Sequence, residues 1–121
     1  MEIASDQDGR IWVTTFSNSL LLRFDPRADT FTRYAASFGG NNAGGLYGLL
    51  VTPTGDIWVT LLAVNALAHL EVAANRFVFY RLPPDGSSPL GLVMSGDQTL
   101  WFTEMDKIGM LRPEEPAHRG T

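Results

Sequence analysis

The chain has 121 residues, 13 acidic against 9 basic side chains, a formal charge of −4 and no cysteine. That length allows one modest core. The mild acidity, with no Lys/Arg cluster to neutralise phosphates, excludes nucleic acid as a partner, and the missing thiols exclude disulfides, zinc–thiolate centres and cysteine nucleophiles. Every apolar stretch is broken by Gly, Pro, Thr or a charge before it could span a bilayer, and Met1–Asp6 lacks the basic start and apolar centre of a signal peptide.

The twelve glycines and seven prolines, set among many Val, Leu, Thr and aromatic residues, predict short strands joined by turns and an all-β fold. Taken in chain order, the strands repeat. The first unit opens inside a strand at Ile3, turns at Asp8-Gly9 and enters Ile11-Trp12-Val13-Thr14; Phe24, Phe31 and Tyr34 mark its later strands. Asp25 and Asp29 are read as turn formers. The run Gly39 to Gly45 reads as a connection between units, since no P-loop Lys-Ser/Thr and no helix follow it.

The second unit predicts Gly48–Val51, a turn at Thr52-Pro53-Thr54-Gly55, Ile57–Leu61, a loop through Val64-Asn65, Ala66–Leu70, a turn at Ala73–Arg76 and Phe77–Leu82. Glu71 and Asn75 belong to that last turn. The third unit predicts Leu90–Met94, a turn at Gly96-Asp97-Gln98, Leu100-Trp101-Phe102-Thr103, and a final strand ending at Met110-Leu111. The polar tail 112–121, which includes His118, is expected to be disordered.

The tryptophans stand 46 and then 43 residues apart, and other positions keep step with them. Ile3, Leu49 and Leu92 lie nine before their Trp; Gly9, Gly55 and Gln98 lie three before; Tyr34 and Tyr80 lie twenty-two after. Four strands in a unit of this period are the signature of β-propeller blades. Tetratricopeptide and ankyrin units need helices, WD repeats want a Gly-His and a Trp-Asp, and kelch repeats place Gly-Gly after an apolar strand. The predicted fold is therefore a β-propeller fragment of about three four-stranded antiparallel blades, with units near 1–38, 44–84 and 88–111 and the last lacking its outer strand. Three blades do not close a ring that typically needs 4–8. Closure requires either further blades or other copies of the chain, and an open fragment is expected to leave two Trp-bearing faces in water. Each Trp is expected to plug the space between blades, at about 3–5 kcal/mol if truncated to Ala.

The runs Asp8-Gly9-x-Ile-Trp-Val-Thr, Arg23-Phe24-Asp25-Pro26, Phe31-Thr32-x-Tyr34, Tyr80-x-Leu82-Pro83, Ser88-Pro89-Leu90-Gly91-Leu92 and Leu100-Trp101-Phe102-Thr103-Glu104 with Lys107-Ile108-Gly109 resemble the repeat of the virginiamycin B lyase (streptogramin lyase) propellers. Gluconolactonase-like and NHL-type propellers share parts of it. The last hairpin is two residues shorter, since Leu111 is ten after Trp101 where Phe24 and Leu70 are twelve after theirs. By the resemblance this marks the final blade, whose outer strand comes from the N-terminus of the ring, and the chain corresponds to the C-terminal blades.

The resemblance further implies a carbon–oxygen lyase scaffold that linearises a cyclic depsipeptide antibiotic, with a histidine base and a magnesium ion held near the central funnel. The family's histidine positions are Tyr47 and Leu90 here, so the imidazoles are replaced. The Glu that follows Trp-Phe-Thr survives only as Glu104, against Thr15 and Leu61 in the earlier units.

Glu104 is thus the candidate ligand for Mg2+ or Ca2+ in a complete propeller, with Asp106 in the same loop, and Tyr47 and Leu90 are the candidate ligand-contacting funnel positions. No catalytic residue is assigned. His69, aligned with Arg23, reads as a surface histidine. Two further functions fit: a non-catalytic module binding a small molecule, glycan or protein at the funnel face, and a lactonase-like metal-dependent hydrolase.

Overall fold

The computed structural model describes residues 1–16, 18–38, 41–42, 45–83 and 88–113. The first blade is an antiparallel meander of β1 (Ile3–Ser5), β2 (Ile11–Thr14), β3 (Leu20–Asp25) and β4 (Thr30–Ala35). A short ribbon of β5 (Ser37–Phe38) and β6 (Asn41–Asn42) lies in the connection that the sequence reads as a loop. The second blade repeats the meander with β7 (Leu46–Val51), β8 (Ile57–Leu61), β9 (Ala66–Glu71) and β10 (Arg76–Arg81). The third has β11 (Leu92–Met94), β12 (Leu100–Thr103) and β13 (Ile108–Leu111). The sheets have four, four and three strands and do not close into a ring. The tail beyond Pro113 lies outside the described residues, as do Gly39, Gly40, Ala43 and Gly44 of the connection.

Turn chemistry explains why each meander folds back where it does. Gly9, Gly55 and Gln98 have φ of 82°, 91° and 65°, and the amide of each donates to the carbonyl three residues before it. Only glycine adopts that left-handed conformation without steric cost. Ser19 and Asn65 take it at the next turn, Asp29 and Asn75 at the one after, so all three turn levels recur in register. Asp25 accepts the amides of Arg27 and Ala28 and so acts as the turn former expected of it.

Strand alternation then decides what each face meets. In β8, Ile57, Val59 and Leu61 point to the first blade, while Trp58 and Thr60 point to the third, and all five are buried. Two apolar clusters result, one in each blade junction. Trp12, Leu21 and Tyr34 meet Leu46, Val59 and Leu70 in the first; Trp58, Leu67 and Leu82 meet Leu92, Leu100 and Phe102 in the second.

Each junction tryptophan sits in the same setting. Trp12 stacks on Tyr34 with ring centres 5.6 Å apart, beneath the Arg23 guanidinium at 5.8 Å. Trp58 packs against Tyr80 at 5.5 Å and His69 at 4.7 Å. The Trp12 indole N–H donates to Asp6 Oδ2 at 2.8 Å, and that of Trp101 to Ser95 Oγ at 3.1 Å, the same repeat position. Burial pushes the Asp6 carboxyl up, but hydrogen bonds from Trp12 and the amides of Arg10 and Asp8, with the Arg10 charge, more than offset it and hold the carboxyl below its ordinary value.

One expectation fails. The open fragment leaves one Trp-bearing face in water, not two. All three indoles point the same way round the arc, so Trp12 and Trp58 are 2% and 3% exposed and only Trp101, at 39%, lies open. The opposite open face, on the first blade, carries Ile3 and Phe31 instead.

Trp58→Ala is expected to cost about 3–5 kcal/mol in urea-induced unfolding, because the cavity opens between two strand layers that cannot collapse together. A loss below about 1 kcal/mol would contradict the packing described.

Candidate functional site

The antiparallel register gathers one end of every sheet. Leu46 faces Leu61, Leu61 faces Ala66, and Ala66 faces Arg81, so the start of the first strand, the loop between the second and third, and the exit of the fourth share one end. First strands lie innermost: β7 touches β1, β2 and β11. This inner end is the mouth of the funnel that the blades would surround.

A threonine two residues after each Trp builds the mouth. Thr14 Oγ1 accepts the Glu2 amide at 2.9 Å and donates to Tyr47 O at 3.0 Å in the next blade. Thr60 Oγ1 accepts the Gly48 amide at 2.6 Å and donates to Leu90 O at 2.8 Å. One hydroxyl can do both. The approach is so close that a Cβ on Gly48 would run into Leu90 O, which is why glycine stands there. Thr103 Oγ1 accepts the Gly91 amide at 3.0 Å in the same way.

Tyr47 and Leu90 therefore occupy equivalent places at the mouth of adjoining blades. Their carbonyls are tied to the preceding blade, and their side chains are half-buried. Glu104 ends the corresponding hairpin of the third blade, where its amide donates to Lys107 O at 2.8 Å. It is half-buried beside a cavity of about 240 Å³ that Pro83, Phe102, Lys107 and Met110 also line. The ion pairs among the described residues join Arg10 to Asp8 and Asp25, His69 to Asp56, and Arg76 to Glu71; Glu104, Asp106 and Lys107 take part in none of them.

A divalent ion needs several oxygen donors. Among the described residues no three His, Asp or Glu side chains gather to hold one, so the donor set of this segment does not by itself fit the metal.

His69 lies away from the mouth, on β9, with Nε2 3.1 Å from Asp56 Oδ1. It borders a groove of about 280 Å³ between the second and third blades, with Asp56, Glu71, Trp58 and Tyr80. It is a junction residue packed on an indole, as its alignment with Arg23 allows. The role of Thr14, Thr60 and Thr103 escapes a sequence reading, although their constant offset from Trp is the signal that could have found it.

Turns, register and junctions together define the class: consecutive blades of a β-propeller. Ile11 faces Phe24 and Ile57 faces Leu70, while Leu100 faces Leu111, so the last hairpin is shorter by two residues. No protein-family model matches the chain, and no curated protein does. Solved structures do match. A streptogramin B lyase superposes with a TM-score of 0.80 at 26% identity, over 93% of this chain and 37% of the lyase. Virginiamycin B lyase from Staphylococcus aureus superposes at 0.72 with 24% identity, over 95% of this chain and 41% of the lyase. A putative gluconolactonase shares the fold at 0.63 and 16% identity, over 92% of this chain and 43% of its own. The chain is thus a β-propeller segment similar in fold to streptogramin B lyase, and it spans well under half the length of the lyases it matches. Among the described residues, no helix is long and apolar enough to cross a membrane.

Thr60→Val removes the partner of a buried amide and of a carbonyl in the next blade, and is expected to cost about 1–3 kcal/mol. Gly48→Ala should cost a similar amount by overpacking, while Gly96→Ala, with open space around its Cβ, stays within about 0.5 kcal/mol. Equal effects of all three in chemical unfolding would remove the hydroxyl from the centre of the junction.

Proposed function

We propose that this segment contributes the ligand-contacting mouth of a streptogramin-lyase-like propeller and binds its ligand without performing the elimination. The supporting observation is the pair Tyr47 and Leu90. They stand where the resemblance puts imidazoles, and an elimination needs a group that accepts a proton from substrate. Neither a phenol nor an alkyl side chain has the basic nitrogen for that task. Losing a general base forfeits a factor of about 10²–10⁴ in rate.

What remains suits recognition. Tyr47, Leu90 and Glu104 lie at the same end of their sheets. An aromatic ring with a hydroxyl, an aliphatic side chain and a carboxylate are the mixture of apolar surface and few polar groups that suits an amphipathic small molecule. A compact cyclic peptide or ester with aromatic and amide groups matches it. Quinupristin, with which an inactive virginiamycin B lyase was crystallised, is a suitable probe.

Incubated with the protein, quinupristin is expected to keep the chromatographic retention of the cyclic form, and calorimetry should record binding that Tyr47→Ala weakens at least about fivefold. Appearance of the linear product would overturn the non-catalytic reading. Absence of any heat of binding would overturn the ligand.

A further inference from the structure

The two junctions carry different charges above the same indole. In the second, His69 lies opposite Trp58 in the register and takes Asp56 as its partner, Nε2 to Oδ1 at 3.1 Å. That couple is complementary and closes on itself. One unit earlier the same repeat positions, eleven after and two before the tryptophan, are Arg23 and Arg10. Two guanidiniums stand where the next blade has a histidine and a carboxylate. Both line a cavity of about 230 Å³ between the Asp6-Gln7-Asp8 turn of the first blade and Pro53-Thr54-Gly55 and Val72 of the second. It lies at the end of the sheets opposite the mouth, where β1 turns into β2 and β7 into β8. Both of its walls belong to the first two blades, so its shape does not depend on what adjoins the open faces.

The acidic groups nearby are already engaged. Asp6 accepts the Trp12 indole N–H and the amides of Asp8 and Arg10. Asp8 and Asp25 pair with Arg10 at 3.1 and 3.8 Å. Arg23 enters no ion pair among the described residues. Its half-buried guanidinium lies 5.8 and 5.9 Å from the ring centres of Trp12 and Tyr34 and donates to Thr32 Oγ1 at 3.3 Å. The Nε atoms of Arg10 and Arg23 are buried without a hydrogen-bond partner. A partly desolvated cation with an unsatisfied donor is costly, and for Arg23 the compensation has to come from the groove. We infer that this groove binds a small organic carboxylate, its oxygens on Arg23 with Arg10 beside it, and its apolar body along Pro53 and Val72. The planar guanidinium matches a carboxylate edge to edge. Asp6 and Asp8 on the wall repel a dianion more strongly than a monoanion, which disfavours phosphate.

Benzoate is the probe. Nitrogen–proton spectra show the three indole N–H groups separately, and that of Trp12 is bonded to Asp6 in the groove wall. Titrated benzoate should move the Trp12 signal and leave those of Trp58 and Trp101 in place. Arg23→Gln should weaken this binding at least about tenfold, the loss of a charge-assisted contact. The double variant Arg10→Asp with Arg23→His gives the first blade the self-paired couple of the second. It should abolish the shift, while unchanged Trp58 and Trp101 signals show the fold intact. A Trp12 signal that benzoate leaves unmoved would overturn the inference, as would equal movement of all three indoles. So would inorganic phosphate acting at lower concentration than benzoate, or full binding by the double variant.

Discussion

A single hydroxyl between two backbones sets the geometry of this protein. Thr14 and Thr60 each accept a hydrogen bond from an amide in their own blade and donate one to a carbonyl in the next. Apolar packing between sheets is strong but non-directional, and could tolerate one sheet sliding over another. The threonine bridge does not. It fixes the height of each innermost strand against its neighbour, which sets the indoles in register and brings positions 47 and 90 to the same mouth. The glycine at position 48 is a consequence, since the bridge draws the strands too close for a side chain there.

Directionality follows from the same alternation. Because every blade carries its tryptophan and its threonine on one face, junctions are head to tail, and a segment of any length has two unlike ends. One is a Trp face; the other is an aliphatic and phenylalanine face. This polarity distinguishes a propeller from a stack of equivalent sheets, and leaves Trp101 open to water while Trp12 and Trp58 are sealed.

Much of the fold was legible in the sequence because its signals are local. Asp8-Gly9, Thr54-Gly55 and Asp97-Gln98 announce turns by their chemistry, and the offsets from tryptophan announce the period. The connection after Ala36 was less so: the ribbon of Ser37–Phe38 with Asn41–Asn42 arises where no alternation of apolar and polar residues predicts it. The facing of the indoles was not legible either, since a period-2 pattern fixes which residues share a face but not which neighbour that face meets. At the mouth, equivalent positions identified Tyr47 and Leu90, yet their carbonyls are engaged by residues 33 and 30 positions away in sequence. No local spacing encodes that. Glu104 illustrates the opposite case, a conspicuous charge that belongs to no group of three His, Asp or Glu side chains among the described residues.

The functional reading and the architecture meet at those two positions. Where the backbone does structural work, side chains are free to vary, so a scaffold can exchange imidazoles for a phenol and an alkyl group without loosening its junctions. The central claim is that the tryptophan-marked units are neighbouring blades locked through threonine. Solution NMR tests it most directly, through exchange of the Gly48 amide proton and contacts across the second junction. The account predicts exchange as slow as global unfolding, with cross-peaks from the Gly48 α-protons to the Leu92 methyl groups. Rapid exchange at Gly48 without those cross-peaks would contradict it.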